Sequence, residues 1–379
     1  MYGTREENGV CRRDNLRMAD RTIEAFLALV RAGLWEREVQ LSPFGKIDWN
    51  DIYRLSGEQS VIGLVLAGLE HSDVKPPQPL LLQWIGEVQI LEQQNNSMNS
   101  CIAELYDTLL KEEVFSVLVK GQGVAQCYER PLWRASGDID LLLDNENYEK
   151  AKKVLYPLAS RIDPEEKHKK DQSITINDFL IEIHGCMPFG MSKRADKIVE
   201  LTLKDTLRNG GVDVWKNDKT DVLLPNPINH VTLVFTHFIH HLFIEGVGLR
   251  QICDWCRLLW SYKDSLNQGL LELRILKMGL MTEWKAFAAL VVEYLGMPVE
   301  AMPLYDARFN VKGERALKRV LKSGNFGYNN DLSYRTRYTG VTYKIIATWR
   351  RFVDFTSLAP MFPVDAPKFF FTYMFNKAK

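Results

Sequence analysis

The 379-residue chain carries no net charge: 48 lysine and arginine residues stand against 48 aspartate and glutamate residues. No overall positive field therefore gathers nucleic acid in bulk, and binding to such a polymer would need a local basic patch. Long hydrophobic runs are missing too, and no stretch reaches the length of a membrane span. No signal-like segment follows the polar start Met1–Arg13, and the six cysteines are scattered, so a reducing, cytoplasmic setting is expected. The one close pair, Cys253-Asp254-Trp255-Cys256, lacks the second pair a zinc site needs and falls in a helical pattern. It reads as two buried thiols rather than as a redox or metal motif. Repeats and low-complexity tracts are absent, which excludes a solenoid. What remains is ordinary globular composition, 46% apolar and 25% charged, in a chain long enough for two or three domains.

Helical periodicity runs through Arg21–Trp35, Val61–Leu69 and, after the breaker Pro76-Pro77-Gln78-Pro79, Leu80–Leu110, predicting an N-terminal helical region over 1–113. The texture then changes. Val114–Val119 is β-branched and apolar, ends at Lys120-Gly121-Gln122-Gly123 and leads into a short helical segment, Val124–Tyr128. A strand at Gly137–Leu143 and a helix at Asn145–Leu158, capped by Asp144 or Asn145, follow. Ile174–Ile176 and Phe179–Ile183 flank Asn177-Asp178, a pair suited to a two-residue hairpin turn. These elements predict a compact α/β core over 114–192. Beyond Ser192 the pattern is helical: Asn226-Pro227 starts a helix through His230–Glu245, Gly246-Val247-Gly248 breaks it, and Gly248–Trp260 continues. A C-terminal helical domain is expected over 193–330. An aromatic and basic tail over 331–379, with Arg350-Arg351 and Phe369-Phe370-Phe371, would dock on its own domain or seek a membrane surface. The fold class is α+β, a small mixed sheet flanked by two helical regions.

The chemistry concentrates in Gly137-Asp138-Ile139-Asp140-Leu141-Leu142-Leu143. Strand alternation puts Asp138 and Asp140 on one face and Ile139, Leu141 and Leu143 on the other. Two carboxylates so close repel, and a shared divalent cation is the usual relief, with hard oxygen ligands suiting Mg²⁺ or Mn²⁺. A solvated strand end is the plain alternative. In Phe179-Leu180-Ile181-Glu182-Ile183-His184 the apolar face leaves Leu180, Glu182 and His184 opposite, and a glutamate in such a strand is poorly explained by packing. If that strand lies beside the aspartate strand, three acids converge. At the turn Lys120–Gly123, Gly121 and Gly123 would let backbone N–H groups approach phosphate and Lys120 would add charge, although such a turn is also a common structural device. His230, His237, His241 and Glu245 fall on one helical stripe without the His-Glu-x-x-His pattern of zinc proteases, and form either a polar wall to a pocket or ordinary packing. Arg250 and Asp254, four apart, suggest an intrahelical ion pair, unless Arg250 faces the cleft to bind phosphate or an acidic acceptor. Arg134, three residues before Gly137, serves a phosphate or a salt bridge.

These motifs resemble the nucleotidyltransferase (polymerase beta-like) superfamily, in which a glycine turn precedes an Asp-x-Asp pair and a third acid on a later strand. More narrowly, Lys120-Gly121, Arg134-Ala135-Ser136-Gly137-Asp138-Ile139-Asp140 and Gly248-Leu249-Arg250-Gln251 resemble an uncharacterised bacterial nucleotidyltransferase family, over roughly residues 20 to 300. One departure is the position of the turn, which the superfamily places nearer the aspartates. The resemblance implies that Asp138, Asp140 and Glu182 bind Mg²⁺ or Mn²⁺ and carry catalysis. It further implies that an NTP is the substrate and that a nucleotidyl group passes to a small-molecule or protein acceptor. A catalytically silent nucleotide-binding or interaction module on the same fold is the alternative.

Overall fold

The computed structural model describes residues 21–165, 170–185, 191–330, 337 and 339–377; the polar start Met1–Arg13 and the Arg351 side chain lie outside the described residues. The N-terminal part is helical: α1 (21–35), α2 (Trp49–Glu58), α3 (Ile62–Glu70) and the long α4 (Gln78–Lys111). Next come β1 (Val117–Val119), α5 (Gly121–Ala125), β2 (Asp138–Leu142), α6 (Asn145–Leu155), β3 (Arg161–Ile162), β4 (Asp171–Ile176) and β5 (Phe179–His184). Asp144 caps α6 by accepting from the N–H groups of Glu146 and Asn147, which satisfies two donors that the first turn leaves free.

The five strands form one mixed sheet in the order β1-β2-β5-β4-β3. β2 runs parallel to β5, and the other neighbours are antiparallel. Asn177 and Asp178 both take positive φ, 50° and 64°, as a two-residue hairpin turn of the right twist requires, and Ile176 pairs with Phe179 across it. Ile139, Leu141, Leu143, Ile181 and Ile183 enter a core with Met98, Ile102 and Leu105 of α4 and Tyr148 and Leu155 of α6. Val117, Val119 and Leu142 belong to a second core, shared with α1 and the C-terminal helices. The register of β2 follows from this division. Each apolar side chain buried contributes about 1.5–3 kcal/mol, and a slip by one residue would drive Asp138 and Asp140 into the α4 core.

Beyond the sheet lie α7 (Lys193–Arg208), β6 (Val212–Asn217), β7 (Thr220–Pro225), α8 (Pro227–Ile244), α9 (Leu249–Ser261), α10 (Gln268–Met278), α11 (Met281–Leu295), α12 (Asn310–Ser323), α13 (Gly340–Leu358) and α14 (Asp365–Lys377). The hairpin β6–β7 interrupts a stretch that reads as helical in sequence. It rests on α4 through Tyr106, whose hydroxyl donates to Leu223 O at 3.2 Å, a tertiary contact that local periodicity does not encode. Cys253 and Cys256 are buried in α9, and burial pushes the Cys256 thiol up to about 12. The tail docks: Phe369 of α14 stacks on Phe243 of α8 with ring centroids 4.1 Å apart. No helix among the described residues is long and apolar enough to cross a membrane.

Candidate active site

Parallel pairing of β2 with β5 sets Asp140 beside Glu182 and Asp138 beside Leu180. The three acids thus rise from adjacent strands on the sheet face opposite Ile139 and Ile181. Asp140 is almost fully buried, and its Oδ1 accepts from Lys120 Nζ at 2.7 Å and from His184 Nε2 at 2.9 Å. Burial alone would raise the Asp140 carboxyl, but Lys120 and His184 outweigh it and hold the group well below the carboxylate range. Its neighbours move the other way. Asp138 is raised chiefly by the charge of Asp140, with burial adding to it, and burial with the Asp140 charge pushes Glu182 up to about 7.

His184 lies beneath the acids and outside the cavity. Its Nδ1 lies 3.3 Å from Asp171 and its Nε2 3.5 Å from Glu182; against burial, the bonds to Asp140 and Asp171 push the imidazole up to about 9. Asp140, Glu182 and His184 each bring a donor atom within 4.8 Å of the others, a cluster that Asp138 does not join. A protonated imidazole with a carboxylate at each nitrogen is a cationic buttress with no lone pair to offer, so the groups on this face that could hold a metal ion are the carboxylates of Asp138, Asp140 and Glu182.

Lys120 sits between β1 and α5 with φ 61° and ψ −152°, a backbone region that side chains other than glycine's seldom enter, and strain of this kind gathers at functional sites. Gly121 follows with positive φ, and a Cβ there would lie 3.3 Å from Asp138 O, so the turn presses on the start of β2. Gly123 lies off the cavity: a Cβ at that position would meet Leu224 at 2.7 Å, and α5 is a single buried turn. The expected cradle of glycine N–H groups therefore reduces to Lys120 and Gly121. Gln122 is buried and donates to Asn95 of α4, which in turn donates to Leu132 O and Arg134 O and so ties down the loop ahead of Asp138. A Cβ on Gly137 would meet nothing within 4 Å.

From the opposite side, α8 presents His237 and His241. His237 Nε2 lies 3.2 Å from Lys120 Nζ and 3.1 Å from His241 Nε2. Burial and the nearby Lys120 charge hold His237 far below its ordinary value, so it is neutral. The shared atom must then be the acceptor, which assigns the His237 proton to Nδ1 and makes His241 Nε2 a donor. His241 Nδ1 lies 3.4 Å from Glu245, and a polar row thus runs Glu245, His241, His237, Lys120, Asp140. His230, on the same stripe, does not join it; buried below, it approaches Tyr262 Oη at 3.4 Å.

Arg250 and Asp254 do not pair within α9. Asp254 takes a bidentate ion pair from Arg134, with Nε at 2.9 Å and Nη2 at 2.7 Å, and accepts from Tyr128 Oη at 2.8 Å. Arg134 Nη1 donates to Ala135 O and Ser136 Oγ, so this guanidinium is a strut between the β2 loop and α9, with four of its five N–H groups bonded within the fold. Arg250 is different. Its Nη1 donates to Ala135 O, its guanidinium lies 5.5 Å from the centre of the Phe326 ring, and its buried Nε has no partner among the described residues.

These groups line a cavity of about 280 Å³ that collects Lys120, Gly121, Arg134, Asp138, Asp140, Glu182, His237, His241 and Arg250. Glu245, Gln251, Asp254 and Phe326 also line it. Phe326 carries no sequence signal of chemistry, Gln251 is read there only as part of the Gly248-Leu249-Arg250-Gln251 motif, and Asp254 only as the fourth-residue neighbour of Arg250; their place depends on contacts across the fold. No curated protein and no solved structure matches the chain. A family model described as uncharacterised nucleotidyltransferase matches residues 45–296, which contain all three acids, the Lys120-Gly121 turn and α8 and α9. The chain belongs to that uncharacterised nucleotidyltransferase family.

Proposed function

We propose that the protein is a metal-dependent nucleotidyltransferase that moves an NMP group from an NTP to a hydroxyl of a small molecule or protein, releasing pyrophosphate. One observation carries the reading: Asp138 and Asp140 of β2 and Glu182 of β5 stand in parallel register on one face of the cavity. The donor set fits a hard divalent cation such as Mg²⁺ or Mn²⁺. The three side chains offer carboxylate oxygens only, and Asp138 and Glu182 are held up by burial and mutual repulsion that a cation would relieve. Lys120 and His184 both bond Oδ1 of Asp140, and Oδ2 carries neither contact. When bound, the metal neutralises the triphosphate and makes the acceptor hydroxyl more acidic.

The chain's own groups supply the rest. Arg250, with its unpartnered Nε, and Lys120 bring positive charge to the phosphate chain. Glu182 either joins Asp138 and Asp140 as a metal ligand or accepts the proton of the attacking hydroxyl, with a proton affinity that burial and the Asp140 charge raise. His184 stays protonated beneath Asp140 and fixes its carboxylate. The buried Arg134–Asp254 pair holds the loop that delivers Asp138. The test is pyrophosphate release by the purified chain with each NTP, Mg²⁺ or Mn²⁺ and a cell extract as acceptor pool, with mass spectrometry of the products. Release of pyrophosphate with a matching mass gain supports the reading. NTP binding without release or any modified product would replace it with a silent nucleotide-binding module.

A further inference from the structure

Phe326 lies thirty positions beyond the end of the matched family region, yet its ring lines the same cavity. Among the described residues lining that cavity it is the one large apolar side chain left exposed, at 40%. Its backbone, φ 49° and ψ 33°, is left-handed, a conformation that bulky side chains avoid. Such a residue persists only where its surroundings hold it.

The surroundings do. Gln251 Nε2 donates to Asn325 Oδ1 at 2.7 Å, Asn325 Nδ2 donates to Ser60 Oγ at 2.8 Å, and Asn330 Nδ2 donates to Glu245 O at 2.7 Å. A Cβ on Gly248 would lie 2.8 Å from Asn325 Cα, and one on Gly327 would lie 2.2 Å from Glu245 O, so both positions need glycine for the arch to close. Arg250 flanks the ring, and His241 meets it edge-on at 4.9 Å. Three of the four residues in Gly248-Leu249-Arg250-Gln251 are thus engaged with the arch that carries Phe326: Gly248 by its bare backbone, Arg250 by stacking, Gln251 by a hydrogen bond. A fold that needs only to end α12 has no use for a strained, half-exposed phenyl ring in an ionic cavity.

We propose that Phe326 is the stacking platform for the nucleobase of the bound NTP. The assignment rests on the nucleotidyltransferase reading and adds to it the place of the base. The cavity, about 280 Å³, falls just below the roughly 300–1,000 Å³ of ligand pockets. Its charged lining suits the triphosphate, and a planar base would then extend to the one exposed apolar surface beside it. Arg250 lines the same cavity as Asp138, and its guanidinium lies 5.5 Å from the centre of the ring. An aromatic face accepts any base, because every base has a π-surface.

The experiment is calorimetric titration of the full chain and of Phe326→Ala and Phe326→Gly with ATP, GTP, CTP, UTP and inorganic tripolyphosphate, each with Mg²⁺. Glycine takes the left-handed backbone without strain, so Phe326→Gly keeps the arch if alanine does not. Loss of about tenfold in NTP affinity, with tripolyphosphate held to about twofold, supports the platform. Equal losses for NTP and tripolyphosphate, or no loss for either, overturn it while the transfer reading stands. Unchanged NTP affinity with reduced labelling of acceptors in extract also overturns it, because the ring then serves the acceptor. Binding of neither ligand by the unsubstituted chain overturns both readings.

Discussion

On the sheet side of the cavity, Asp138, Asp140 and Glu182 stand on two neighbouring strands whose hydrogen-bond ladder fixes their spacing. On the helical side, His237, His241 and Arg250 come from α8 and α9, helices set against each other around the Gly246–Gly248 break and steadied by the Phe326 arch. The first wall takes its spacing from the strand ladder, with the Arg134–Asp254 pair holding the loop ahead of it, and the second depends on tertiary contacts throughout. The charges differ correspondingly. Asp140 is already neutralised by Lys120 and His184, whereas Arg250 retains a buried Nε with no partner. Asp140 thus has its counter-charges within the fold, whereas Asp138 and Glu182 on the sheet wall and Arg250 on the helical wall are the groups that a bound ion would complete.

The largest effect should come from the sheet wall. Asp138→Asn with Asp140→Asn removes two ligating carboxylates and should lower transfer about a thousandfold or more. The fold should survive at reduced stability, because the change relieves the repulsion that raises Asp138 but leaves Lys120 and His184 an amide oxygen in place of a buried carboxylate. Metal-dependent NTP binding, followed by calorimetry beside far-UV circular dichroism, checks both halves; a folded double variant with intact metal-dependent binding would take the acids out of the site.

The helical wall should fail in stability instead. Asp254→Ala strands the Arg134 guanidinium, which is buried and paired to it bidentately, and leaving one member of such a pair alone costs about 3–5 kcal/mol. Urea unfolding measures this. A loss under about 1 kcal/mol would mean that Arg134 finds solvent or another partner, and that the strut does not support the β2 loop. Arg250→Met comes next. It removes the cation whose Nε is unpartnered and should weaken NTP about ten- to a hundredfold with little change in unfolding midpoint. If stability falls and affinity does not, Arg250 belongs to the Phe326 arch alone.

The same contrast explains what could be read in advance. Strand period two places Asp138 with Asp140 and Glu182 with His184, and the Asn177-Asp178 turn marks the hairpin, so the acid face is legible residue by residue. Only the adjacency of β2 and β5 needed the structure. The helical wall was legible in part: His237 and His241 share a face at spacing four, but the same spacing also puts His230 on that face and suggests an Arg250–Asp254 pair. Asp254 bonds Arg134, 120 residues earlier in the chain, and no local pattern ranks that partner above a neighbour one turn away. Gly123 followed the same logic in reverse, since a glycine that resembles a phosphate cradle in sequence is small because Leu224 packs there.

His230 gives the smallest and most specific test, since it shares the His237 and His241 stripe yet serves packing. Burial pushes its imidazole down to about 4, with the charge of Asp254 opposing, and Tyr262 is its only polar contact described. The unfolded chain binds a proton at this histidine below about pH 6.5, while the folded chain does so only near pH 4. Between those values the unfolded state holds more protons, so stability is lost as pH falls through this window and unaffected by His230 above it. His230→Leu keeps the volume and removes the titration. Relative to that variant, the native chain should lose about 1–2 kcal/mol between pH 7 and pH 5, measured by urea unfolding at each pH. Equal pH slopes in the two chains would mean that His230 takes up its proton inside the fold, and the stripe would then be polar along its whole length rather than only where it meets Lys120.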